Sequence, residues 1–133
     1  MGLNHEGFHK EALTVMEGLL AAGASFENHR LPELFCGYTT DKGAPFRYPV
    51  ACSPQAWAAA TPFVFIEVML GMRLDYTIRQ VSLHPVLPAG MDLLSVRSLR
   101  LGSGMLDVDV NRSNEACAYH VLANTTGWTI GSH

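Results

Sequence analysis

Charge is scarce in this sequence. Only 16% of its 133 residues are Asp, Glu, Lys or Arg, and the formal net charge is −3. No basic block occurs, so nucleic acid is set aside as a partner. Cysteine is scarce as well. Cys36, Cys52 and Cys117 are odd in number and widely spaced. The absence of a Cys-x-x-Cys pair argues against a zinc or redox centre and for reduced thiols that pack as small apolar groups, as in a cytoplasmic protein. Long hydrophobic runs are missing: the stretch from Pro62 to Met72 is interrupted by Glu67 and is too short to cross a bilayer. The first residues, MGLNHEGFHK, lack the apolar core of a signal peptide, and Glu6 stands where a myristoylation motif needs Ser or Thr. No internal repeat, metal-ligand set or cofactor fingerprint is present. A soluble cytoplasmic domain without membrane, metal or cofactor is expected.

Apolar side chains, in contrast, are plentiful at 48%, which predicts a folded chain with a rather apolar surface. Residues 5–22 read as an amphipathic helix. Phe8, Ala12, Leu13, Val15, Met16, Leu19 and Leu20 follow helical spacing, Asn4 is placed to cap the start and Gly23 to stop the end. His5 and His9 are four apart, but no third ligand accompanies them, so a metal site is not assigned. Residues 24–53 carry Pro32, Gly37, Gly43, Pro45 and Pro49, which predicts a long loop. Its aromatic residues give it apolar surface to bury. Ser53-Pro54 then marks a helix start. The helix over 54–71 is apolar nearly all round, which predicts burial on most sides, and Pro62 should kink it or leave one turn unpaired. Beyond Gly71, residues 77–83, 93–101, 105–110, 116–123 and 128–130 read as short strands. So few elements cannot cover an all-round apolar helix, so association with itself or with a further segment is expected.

Two contiguous segments, RLPELFCGY (residues 30–38) and YPVACSPQAWAAA (residues 48–60), resemble the C-terminal end of bacterial amylo-α-1,6-glucosidase-like proteins, relatives of the glucosidase half of glycogen debranching enzymes. The similarity extends to Gly18-Leu19-Leu20 and to the stretch from Gln80 to Pro88. It implies an α+β chain: two or three α-helices from the end of an incomplete (α/α)6 barrel over residues 1–74, then a small antiparallel β appendage over 75–133. The missing partner would be the N-terminal barrel portion or a second copy.

The resemblance also implies a chemistry. Inverting hydrolysis of an α-glucoside uses one carboxyl as acid and another as base, spaced about 6.5–9.5 Å apart to admit a water. The family's Glu-x-Phe-x-Gly motif is matched by Glu33, Phe35 and Gly37, and its Gln-Ala-Trp helix start by Gln55, Ala56 and Trp57. Glu33 is thereby the expected general base, kept ionised by polar neighbours. Arg30, Phe35, Tyr38, Tyr48, Gln55 and Trp57 are the expected substrate-binding residues for an α-glucan or α-glucoside. The family's general acid lies upstream of the matched region. The local carboxylates Asp41 and Glu67 do not match it; Asp41 suits a turn, and Glu67 suits a pair with a neighbour such as Arg73. With half a catalytic pair, little activity is expected of the chain alone. The alternatives are a non-catalytic carbohydrate-binding or assembly module, or a truncated gene product without function.

Overall fold

A computed structural model describes residues 2–37, 43–46, 48–52, 54–114 and 116–131. Among them run α1 (Gly2–His5), α2 (His9–Ala24), a 3-10 turn (Glu27–His29), α3 (Ala56–Leu70) and six strands: β1 (Arg73–Asp75), β2 (Gln80–Ser82), β3 (Leu93–Leu101), β4 (Gly104–Ser113), β5 (Ala116–Asn124) and β6 (Thr129–Gly131). Contacts divide the chain into two compact units, one of Met1–Leu13 with Ile66–His133 and one of Thr14–Phe65.

The strand-bearing unit holds two sheets. In one, β4 lies between β3 and β5, antiparallel to both. Alternation along β4 buries Leu106, Val108 and Val110 completely, while Met105 and Asn111 are exposed. Each strand partner of β4 carries an irregularity: the register shifts between Val96 and Leu99 against β3, and between Asp107 and Val108 against β5. Gly104 opens β4 because nothing larger fits, since a Cβ there would lie 2.2 Å from the Thr125 carbonyl oxygen. In the second sheet β2 pairs antiparallel with β1 and parallel with β6. The segment joining β2 to β3 is fastened by Arg112. Its Nε donates to the Met91 carbonyl at 3.2 Å, and its Nη2 donates to the carbonyls of Leu87 and Pro88.

Gly71 ends α3 in the left-handed region at φ +55, with Gly71 N–H donating to Val68 and Met72 N–H to Glu67. That is the Schellman arrangement. A Cβ at Gly71 would sit 1.9 Å from the His84 carbonyl oxygen, so the close passage of residue 84 requires glycine.

The expected remnant of an (α/α)6 barrel is not what the chain forms. Three α-helices occur among the described residues, and only two, of 16 and 15 residues, exceed a single turn. A barrel remnant would draw its core from layered helix pairs. Here most of the fully buried large side chains, Leu106, Val108, Val110 and Val81, sit on strands. The strand part is two three-stranded sheets, one of them with a parallel pair, and not a single small antiparallel appendage.

Several local expectations are also revised. The helix expected over 5–22 is split at Gly7, whose φ is +85. Asn4 lies buried in α1 instead of capping α2, and its Oδ1 accepts from His9 Nδ1 at 2.6 Å. Gly23 does not stop α2, which continues to Ala24. The strand expected over 77–83 begins only at Gln80, because Asp75 Oδ1 accepts the N–H groups of Thr77 and Ile78 and turns the chain there. The hairpin partner β1 was invisible in the periodicity, being three residues long. Helix α3 runs through Pro62 without a break in its assignment. It is not buried on all sides: Phe65, Val68, Met69 and Leu70 are buried, but Trp57 is 65% and Phe63 74% exposed.

Candidate functional site

The two motif segments meet at Glu33. Its Oε2 accepts the backbone N–H of Cys52 at 2.7 Å, and its Oε1 accepts Gln55 Nε2–H at 3.2 Å. The same Gln55 amide turns its oxygen to the helix: Oε1 accepts the Ala56 N–H at 2.9 Å, satisfying a donor that the first turn of α3 would otherwise leave open. Gln55 thus ties the loop carboxylate to the start of α3. Serine at 53 was expected to cap this helix and lies outside the described residues; the helix itself begins two residues later than the Pro54 signal.

Hydrogen bonds hold the Glu33 carboxyl below its ordinary pKa. The Cys52 backbone N–H contributes most, then the Cys52 thiol, then Gln55, against a small opposing effect of burial. The neighbouring carboxylate in turn pushes the Cys52 thiol up, because a thiolate beside it would lose the hydrogen bond and meet a like charge. Cys52 is the residue that sequence reasoning missed. Its principal contribution is a main-chain N–H, which any residue type supplies, so no side-chain pattern announces it.

The other expected site residues fall as follows. Arg30 borders two depressions. One, of about 340 Å³, is lined by Ser25, Phe26, Glu27, Asn28, Arg30, Pro32 and Pro54. The other, of about 410 Å³, is lined by His29, Arg30, Leu31, Pro54, Gln55, Ala58, Ala59 and Pro62. Glu33 lines neither. Phe35 packs edge-on against Phe26, with ring centroids 5.8 Å apart and an interplanar angle of 72°. Tyr48 is exposed, and its carbonyl accepts the Ala51 N–H in a turn that leads to Cys52. Trp57 stands in solvent on the first turn of α3. Tyr38 lies outside the described residues, as does Asp41. Glu67 belongs to the other compact unit. Arg73, expected as its partner, donates instead to the carbonyl of His5.

The His9 ring bonds Asn4 and stacks on His84, with centroids 6.3 Å apart and planes within 10°. Among the described residues no group of three or more His, Cys, Asp or Glu side chains is placed to hold a metal ion. Among the described residues no helix is long and apolar enough to cross a membrane.

The chain matches no known family profile, no curated protein and no solved structure.

Proposed function

We propose that this chain carries the general base of an inverting α-glucoside hydrolase similar to amylo-α-1,6-glucosidases, with Glu33 as that base and with the general acid supplied from outside residues 1–133. One observation carries the reading: Glu33 of the first motif is hydrogen-bonded by Cys52 and Gln55 of the second. A carboxylate oxygen has two acceptor positions, so with three donors on the two Glu33 oxygens one position is left for a water. The lowered pKa keeps the group ionised at neutral pH and makes it a weaker base than an ordinary carboxylate, so it would act on a water already polarised by attack at an anomeric carbon. Arg30, Phe35, Tyr38, Tyr48, Gln55 and Trp57 are the proposed contacts to an α-glucan or α-glucoside, and the three free cysteines fit a reducing, cytoplasmic setting.

An activated leaving group removes the need for the absent acid. The chain should therefore accelerate hydrolysis of α-glucosyl fluoride, giving β-glucose first, and Glu33→Gln should slow it on the order of 10²-fold or more. An unchanged rate in Glu33→Gln would overturn the assignment.

A non-catalytic sugar-binding role is the second reading. It is favoured by the two depressions that Arg30 borders, one of them also lined by Gln55, while Glu33 lines neither. Saturable binding of maltooligosaccharides with no fluoride release from the wild-type chain would decide for it.

A further inference from the structure

The second sheet has one polar face. Alternation puts Arg73 and Asp75 of β1 on the same side. The register sets Ser82 opposite Arg73, Gln80 opposite Asp75, and Thr129 opposite Gln80. Leu74, Val81 and Ile130 take the other side. At Gly131 the side-chain position is left open, and a Cβ there would come within 3.1 Å of Gln80 Nε2. A depression of about 450 Å³ is lined by Arg73, Leu74, Asp75, Tyr76, Thr77 and Ser82, a size that admits a small ligand.

Three features give this depression a chemical preference. Ser82, only 3% exposed, lines the depression and brings a hydroxyl that can both donate and accept. Arg73 and Asp75 are two residues apart and opposite in sign, so they present fixed donors and acceptors without net charge. At the rim stands Tyr76, 74% exposed, braced edge-on by Trp128 with centroids 5.2 Å apart at 86°. Trp128 is itself fixed. Its N–H donates to Thr126 Oγ1 at 3.0 Å, and its carbonyl accepts from Asn124 Nδ2 at 2.8 Å. The Asp75 turn holds Tyr76 at the head of the hairpin. A braced aromatic ring beside a neutral set of planar donors and acceptors suits the apolar C–H face and the adjacent hydroxyls of a sugar ring.

We propose that this face of the β1–β2–β6 sheet binds a neutral pyranose unit of an oligosaccharide, with Tyr76 against the ring and Arg73, Asp75 and Ser82 on its hydroxyls. The site stands on residues 73–82 and 128–131 and does not depend on Glu33 acting as a base.

Titration of the ¹⁵N-labelled full chain with maltotriose, followed by amide shifts, is the test. Saturable shifts are expected at residues 73–82 and 128–129, with half-saturation below about 20 mM. Tyr76→Ala should weaken binding by about fivefold or more, and Tyr76→Phe should restore it. Asp75→Asn keeps an acceptor for the turn and should also weaken binding, whereas Glu33→Gln should leave it unchanged. Absence of saturation, equal affinity in Tyr76→Ala and Asp75→Asn, or tighter binding of glucose 6-phosphate than of maltotriose would each overturn the proposal. Since Glu33→Gln reports on fluoride hydrolysis and not on these shifts, failure here is distinct from failure of the base assignment.

Discussion

Residues 14–65 and residues 66–131 keep a carboxylate ionised by different means. In the first region Glu33 is held chiefly by a main-chain N–H, that of Cys52, in a loop. In the second Asp109 is held by side chains across a strand pair: Arg97 Nη1 at 2.8 Å and Ser95 Oγ at 2.7 Å. The Arg97 guanidinium and the Ser95 hydroxyl lower the Asp109 pKa, and Asp109 raises that of Arg97. The strand region fixes side chains by register and alternation. Among the described residues the loop region has no strand, and there one carboxylate joins two chain segments and braces a helix start through Gln55. The contrast extends to burial: β4 seals three side chains completely, whereas Val50, Trp57 and Phe63 of the loop region stand in solvent.

The largest effects should come from the strand region's backbone. Gly71→Ala forces a methyl group onto the His84 carbonyl at a positive φ. It should cost roughly 3 kcal/mol or more in denaturant unfolding, combining left-handed strain with the displaced chain. Leu106→Ala, at a fully buried position, should cost about 3 kcal/mol by the same measurement. A loss below about 1 kcal/mol in either variant would erase the distinction between a ladder-fixed region and a loop-fixed one.

Smaller changes sharpen it. Pro62 leaves the Ala58 carbonyl without its helical N–H partner, so Pro62→Ala should raise stability by about 1 kcal/mol, less than the full proline penalty because this half of α3 is exposed. The two carboxylates should differ under mutation when followed by carboxyl-carbon NMR. Arg97→Ala removes the main cause at Asp109 and should return its pKa most of the way to normal. Cys52→Ala removes the thiol but leaves the backbone N–H, so Glu33 should rise only in part, and Gln55→Ala should raise it less still. Both groups have folded pKa values below their unfolded ones. Their stabilisation is therefore complete above about pH 4.5 and is lost as pH falls through the lowered folded values. The smallest effect is expected for Trp57→Ala, which should change stability by no more than about 0.5 kcal/mol, because the ring is in solvent.

Much of the strand half was legible because alternation is a local signal. Residues 93–101 form β3 as expected, and 116–123 fall within β5. β1 escaped notice because three residues carry no period, and the Thr77–Arg79 turn because an Asp side chain overrode a strand-like pattern. At the candidate site, Glu33 and Gln55 were singled out by the motif resemblance and not by residue type, and Cys52 was passed over because its largest contribution is made by its backbone. All-round apolarity in α3 suggested burial on every side, yet hydrophobic composition says what a helix gains from cover and not whether cover is present.

By itself the sequence determined the positions of the long strands and the loop of prolines and glycines. These follow from spacing and from residue chemistry along the chain. Only the tertiary structure decided that the core is built mainly on strands instead of layered helices, and that Glu33 is held by the Cys52 amide. It also decided that Arg73, Asp75, Ser82 and Tyr76 line one depression. The first two depend on contacts between residues distant in sequence and the third on the pairing of β1 with β2, which no local period encodes.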